Sequence, residues 1–278
     1  MTTSSVPSGW QVEGTAADNY QRYLVPAIFA AWVPALLEAA NVQQGDRVLD
    51  VACGTGVVAR GAAERVGATG RAVGLDLNAG MIDAARAADP TGSVEWQVGD
   101  AAELPFDDGT FDAAFCQQGL QFVPDPVRVA AELGRVATDG VVVVAVWSSV
   151  SDAPVFAGFA EALERHVGPE AGAIMRSPFA LGDPDRLREI FVRAGFGSVD
   201  VARATGEVRF ASAEHLVREE AISSPLAGPV GLLDAEGLAA LVADVAGLVE
   251  AHQVDTGIAF PIVNHIVTAR RWDQGASR

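Results

Sequence analysis

The chain has 278 residues, half of them hydrophobic and a fifth charged, with a formal net charge of −17 at pH 7. That length and apolar share exclude a disordered chain and supply a core for one large α/β domain or two small ones. The surplus negative charge repels nucleic-acid phosphates and anionic lipid headgroups, so neither nucleic acid nor membrane is an expected partner.

All 19 basic residues are arginine, which excludes Schiff-base or other lysine chemistry. Cys53 and Cys116 form no CxxC pair and no cluster with histidine, so no metal site is expected and a reducing, cytoplasmic compartment is. Residues 1–14 read as a loose polar arm without the basic and apolar regions of a secretory signal. The apolar stretch from Val25 to Ala40 is interrupted by Pro26, Pro34 and Glu38. It is shorter than the roughly 20 residues needed to span a bilayer.

From residue 15 to 40, Tyr20, Tyr23, Leu24, Ile28, Trp32 and Leu36 recur every three or four positions, predicting a helix interrupted near Pro26 and Pro34. From residue 46 the pattern becomes strand, turn, helix. Strands are predicted at Arg47–Ala52, Gly70–Asp76, Val94–Val98 and Phe111–Gln117, with helices at Val57–Val66, Ala79–Ala88 and Pro126–Val136. The continuous apolar run Val141–Trp147 predicts a strand buried on both faces.

Helices are then expected at Pro154–Val167, Pro184–Ala194, Ala213–Ser223 and Asp234–Gln253, with strands at Ser198–Phe210 and Ile258–Arg271. Strands alternating with helices predict a doubly wound, Rossmann-like, mostly parallel α/β sheet. Residues 15–278 read as a single domain. Residues 15–150 form its ligand-binding core, 151–257 a largely helical cover inserted after the fifth strand, and 258–271 a closing strand.

The sharpest motif is Val48-Leu-Asp-Val-Ala-Cys-Gly-Thr-Gly-Val-Val-Ala59, a strand entering a glycine turn and leaving as a helix. Gly54 and Gly56 permit backbone angles and approaches that a Cβ would block, and the helix behind them presents unpaired amides. Asp76 ends the second strand, where a carboxylate accepts from ribose hydroxyls. Asp100 ends the third, where one accepts from an exocyclic adenine amine. Either alone reads as a turn or helix-cap residue; both in register behind the glycine turn fit that reading poorly.

At these residues the sequence resembles the class I S-adenosylmethionine-dependent methyltransferases, and within them the branch of ubiquinone and menaquinone biosynthesis. VLDVACGTG resembles their first motif and GLDLNAGMI the second. GDAAELPFDDGTFDAAFCQQGLQFVPDP resembles the adenine and post-adenine segments. The resemblance covers roughly residues 20–150. It implies S-adenosyl-L-methionine as cofactor, with the backbone at Ala52 and Gly54 along its methionine portion and Asp76 on its ribose. It further implies Leu77 and Met81 against the adenine, Asp100 and Ala101 at the adenine edge, and Gln117 beneath the methionine. Tyr20 or Tyr23 would close over the cofactor, with core packing the competing role for each.

A nicotinamide dehydrogenase also begins with a glycine turn and an acidic residue on strand two. The GDAAELPF context of Asp100 is not part of that pattern, and the chain has no Tyr-x-x-x-Lys pair. A fold that binds the same cofactor for cyclisation, or only for binding, is the other alternative.

Many relatives carry a histidine in the segment matching Leu120-Gln-Phe-Val-Pro-Asp125; here Gln121 and Phe122 stand instead. No catalytic residue is assigned, and transfer by proximity and desolvation is the expected mechanism. The histidines His166, His215, His252 and His265 do not cluster, though His265 would face the site if its strand borders the pocket. Trp32, Phe156, Phe159, Met175, Phe179 and Phe260 are candidates for an apolar wall around a small, mostly apolar acceptor. The expected partner is that small molecule, and a homo-oligomer is compatible with everything read here.

Overall fold

The computed structural model describes residues 15–271, so the expected arm at 1–14 lies outside the described residues. A continuous helical run comes first. It consists of α1 (Ala16–Asn19), a π-helix over Tyr20–Phe29, a 3-10 turn over Ala30–Trp32, and α2 (Val33–Ala39). The break expected at Pro26 takes the form of a change in winding. A proline donates no amide hydrogen and its ring crowds the carbonyl four residues back, which a wider turn relieves. Pro34 sits in the first turn of α2, where proline is tolerated. The run from Ala16 to Ala39 is 24 residues, long and apolar enough by composition to cross a bilayer. This corrects the expectation drawn from Val25–Ala40. Leu24, Ile28, Trp32 and Leu36 bury its apolar stripe in the protein's own core.

Five parallel strands follow: β1 (Arg47–Val51), β2 (Arg71–Asp76), β3 (Glu95–Val98), β4 (Ala113–Gln117) and β5 (Val141–Trp147). They are linked through α3 (Val57–Val66), α4 (Ala79–Ala87) and α5 (Pro126–Val136). The helix starts are chemically marked. Asn78 caps α4 by accepting from the amides of Gly80 and Met81, and Asp125 caps α5 ahead of Pro126. Every residue of β5 is buried, as its unbroken apolar sequence requires.

The chain continues through α6 (Pro154–His166), α7 (Pro169–Arg176), α8 (Pro184–Arg193), β6 (Phe196–Phe210), α9 (Ala213–Ile222), α10 (Ala227–Gly231), α11 (Ala235–Leu248), β7 (Gln253–Val254) and β8 (Gly257–Arg271). The main sheet has the order β3-β2-β1-β4-β5-β8-β6, with β8 antiparallel to both neighbours and β7 paired to its start. The fold is therefore α/β with a mostly parallel sheet, as expected. β6 lies within 151–257 yet joins the sheet, so the cover consists of two helical groups on either side of it in sequence.

Connections diverge between β1 and β4, the switch point at which open α/β sheets bind ligands beyond their strand ends. Above this crevice, Phe156, Phe159 and Leu163 of α6 share one apolar cluster with Leu216 of α9, Leu241 of α11, and Leu24 and Ile28 of the π-helix. Each fully buried aromatic or leucine contributes about 1.5–3 kcal/mol. The cover and the N-terminal run are thus one packed layer.

Candidate functional site

The turn after β1 is built from left-handed backbone: Ala52, Gly54 and Gly56 have φ of 54°, 55° and 80°. A glycine adopts this without penalty, whereas Ala52 holds it at a cost of about 1 kcal/mol or more. The two glycines do different work. A Cβ on Gly56 would lie 2.0 Å from Cη2 of Trp96, so the indole from β3 seats against bare backbone there. A Cβ on Gly54 would meet only Cε1 of Tyr20 at 4.0 Å, in a cavity.

Asp76 is held across that turn. Its Oδ2 accepts from the Gly54 amide and its Oδ1 from the Asn78 amide, each at 2.8 Å. Burial pushes its carboxyl above the usual range, while these amides and that of Leu77 oppose the rise. Asp50, inside β1, is fully buried; Oδ2 accepts from the Ala59 amide at 3.0 Å and Oδ1 has no partner. Burial pushes it up to about 8, against the Ala59 hydrogen bond, with the charge of Asp76 adding to the rise. Asp100 follows β3, its Oδ1 accepting from the Ala102 amide at 2.8 Å.

The π-helix is fastened over the same place. Gln117 Nε2, at the end of β4, donates to the Phe29 carbonyl at 3.0 Å, and Arg60 Nη2 of α3 donates to Gln21 Oε1 at 3.2 Å. The Tyr20 ring stacks on Phe29 with centroids 5.2 Å apart. Burial, then the carboxylates of Asp76, Glu220 and Asp50, push its phenol well above the ordinary value.

All nine residues expected at the cofactor border one cavity of about 710 Å³: Tyr20, Ala52, Gly54, Asp76, Leu77, Met81, Asp100, Ala101 and Gln117. Tyr23 does not border it, lying edge-on to His215 with Arg22 over its ring. The opposite wall is apolar: Leu24, Ile28 and Phe29 of the π-helix, with Trp147, Phe156, Met175, Phe179 and Ile262. Of the wall candidates, Phe156, Met175 and Phe179 reach the cavity, whereas Trp32, Phe159 and Phe260 do not. Trp32 lies against the bare backbone of Gly206, and Phe260 packs edge-on behind Phe156 at 5.7 Å. The charged border consists of Asp50, Asp76, Asp100, Asp125 and Glu220, and among the described residues no arginine or histidine joins it.

The model of the methyltransferase domain family matches residues 49–145, the stretch that carries the glycine turn and the four aspartates but not Glu220. A demethylmenaquinone methyltransferase of Shouchella clausii is 33% identical over 192 residues, covering 64% of this chain and 82% of the relative. The chain belongs to the class I S-adenosylmethionine-dependent methyltransferases. Within them it falls in the quinone-biosynthesis-like branch, and its cofactor is S-adenosylmethionine.

Solved structures show how widely the fold is used. The phosphoethanolamine N-methyltransferase 2 of Haemonchus contortus, in complex with S-adenosyl-L-methionine, aligns at a TM-score of 0.59 with 20% identity, covering 93% of this chain and 57% of that one. The [4+2]-cyclase SpnF aligns at 0.53 with 19% identity, covering 96% and 88%. At such identities these matches show the architecture alone.

In this methyltransferase, no described histidine borders the cavity. His265 is buried in β8 and its Nε2 contacts the Gly182 carbonyl at 3.1 Å, so its strand does not turn it toward the site. His166 pairs with Asp244, His215 with Glu219, and His252 lies against the Phe260 ring. Gln121 borders the cavity; its Nε2 donates to Gln118, and its buried Oε1 has no partner.

Sequence reasoning missed Glu220, the one charged residue that the cover contributes to the cavity. The signal was present: Leu216, Glu220 and Ser224 are four apart, so Glu220 continues the stripe of α9 that carries buried Leu216.

Proposed function

We propose that the methyltransferase transfers a methyl group to a small, neutral, mostly apolar metabolite, in keeping with the quinone-type names of its curated relatives. The observation that carries this is the composition of the cavity: an aromatic and aliphatic wall from the π-helix and cover, carboxylates along the core side, and no described cation. An acceptor with a phosphate or carboxylate would be buried there against like charge. A ring system with one nucleophilic oxygen, nitrogen or carbon would bury its surface favourably.

The residues present fit the cofactor. Gly54 opens onto the cavity where a side chain would intrude, and the Asp76 carboxylate, held by the Gly54, Asn78 and Leu77 amides, keeps acceptor capacity for a ribose hydroxyl. In this reading Asp76 holds the ribose, and Leu77 and Met81 pack on the adenine. Asp100 and Ala101 meet the adenine edge, and Ala52, Gly54 and Gln117 border the methionine portion. Tyr20 closes the site from above. S-adenosylmethionine supplies a methyl already activated on a sulfonium, so what the chain adds is alignment and dryness. The stacked Tyr20–Phe29 pair, fastened by Gln117, excludes water from the acceptor side. Gln121 is a neutral hydrogen-bond partner that would orient a hydroxyl or amine nucleophile, whose proton would pass to solvent once the methyl is transferred. Cys53 and Cys116, buried as free thiols, suit a cytoplasmic enzyme.

The test is to incubate purified protein with methyl-labelled cofactor and a small-molecule extract, then separate the products by size and polarity. Label in a neutral, organic-extractable metabolite is the expected result. Label confined to protein or RNA would overturn the reading, and a rearranged metabolite with unconsumed cofactor would favour a cyclase.

A further inference from the structure

Glu220 is about 5% exposed and borders the cavity, yet no described residue forms a hydrogen bond or ion pair with its carboxylate. The cations on its own helix and on the elements packed against it are engaged elsewhere. His215 pairs with Glu219 and Arg218 with Glu214 on α9, Arg209 of β6 pairs with Glu207, and Arg22 of the π-helix lies over the Tyr23 ring. Asp18 of α1, and Glu236 and Asp244 of α11, add only negative charge, with Asp244 already paired to Arg165 and His166. An unpaired buried carboxylate costs several kcal/mol unless it stays protonated or meets a cation.

Its helix is tied to the run that covers the cavity. Asn19 Nδ2 of α1 donates to the Ile222 carbonyl of α9 at 3.5 Å, tying α9 to the start of the helical run. Tyr20, which begins the π-helix, feels the charges of Asp76, Glu220 and Asp50 together. Tyr20 is also the residue that a Gly54 side chain would meet. Glu220 and the glycine turn therefore border one cavity together with Tyr20.

We infer that Glu220 is the counter-charge by which this cavity prefers the sulfonium of S-adenosylmethionine to the neutral sulfur of S-adenosylhomocysteine. The inference rests on the cofactor placement given above. It makes Glu220 a specificity residue with a consequence for turnover: once the methyl has left, the positive charge facing Glu220 is gone and the product is held less tightly. Burial pushes the Glu220 carboxyl up to about 7, so part of the free enzyme carries a proton there at neutral pH. An arriving cation favours the ionised form and releases that proton.

The experiment is calorimetric titration of S-adenosylmethionine and S-adenosylhomocysteine into the full chain and into Glu220→Gln at pH 7, each in two buffers of different ionisation enthalpy. Both ligands carry the same amino-acid ammonium, so their ratio isolates the sulfonium. Glu220→Gln is expected to weaken S-adenosylmethionine roughly tenfold and S-adenosylhomocysteine less than about twofold, and to remove the extra proton released with the former. Equal weakening of both ligands, or no change in either, would overturn the inference. Should the variant fail to fold, the wild-type ratio decides: preference for S-adenosylmethionine must shrink as pH falls from about 8 to 5.5, and a flat or opposite trend counts against Glu220. Failure of the wild-type chain to bind either ligand would instead sink the cofactor placement.

Discussion

Asp76, half-buried, and Glu220, buried, are carboxylates on the same cavity, and they are supported in opposite ways. Asp76 belongs to the core half, where the Gly54 and Asn78 amides fix both of its oxygens. Glu220 belongs to the cover, where packing around α9 buries it without supplying a donor. A carboxylate held by backbone amides is ready for neutral hydroxyls, because its charge is already compensated. One that is buried and left alone waits for a cation. The core half thus offers a carboxylate already compensated by amides, and the cover an uncompensated one among apolar side chains.

The largest break in this contrast comes from the turn itself. Gly56→Ala drives a Cβ into the Trp96 ring and forces φ of 80° on a residue with a side chain. A loss of roughly 2–4 kcal/mol of stability in urea unfolding is expected. Asp76→Ala is expected to leave the fold largely intact but to remove the acceptor proposed for the ribose. Calorimetry should show S-adenosylhomocysteine affinity falling by about 1–3 kcal/mol, and unchanged affinity would reject the role.

The third expectation concerns pH. Asp50 and Glu220 have folded-state values of about 8 and about 7, raised by burial above those of ordinary carboxylates. The folded protein therefore holds their protons more tightly than the unfolded chain does. That stabilisation is complete below the ordinary carboxylate range and is lost as pH rises through about 7 and 8. Without cofactor, Tm should be lower at pH 9 than at pH 5.5, by on the order of 5 °C. The double variant Asp50→Asn, Glu220→Gln should flatten the dependence. The smallest effect belongs to the apolar wall: Met175→Leu should change cofactor affinity less than about twofold while shifting the KM of whatever acceptor is found.

The core half could be read along the chain because its site is made of local pieces. A glycine turn, an acid at the end of β2 and another after β3 lie near strand ends whose positions follow from apolar runs and helix caps. The order of strands is not local: β8 enters antiparallel between β5 and β6 through pairings such as Val144 with Val267 and Val201 with Val267, which no short window contains. The cover resisted for a related reason. Spacing places Phe156, Phe159 and Phe260 on apolar faces, but only the packed structure decides that Phe156 reaches the cavity and the other two lie behind it. Glu219 and Glu220 are adjacent in sequence, and only the packed structure shows that α9 buries both, pairing one with His215 and turning the other to the cavity.

Co-crystallisation of the full chain with S-adenosylhomocysteine bears most directly on the central claim. The account predicts the ribose hydroxyls on the Asp76 carboxylate, the adenine amine beside Asp100, and the sulfur beneath Tyr20. An adenosyl group seated outside the crevice between β1 and β4, or density for a dinucleotide within it, would contradict it.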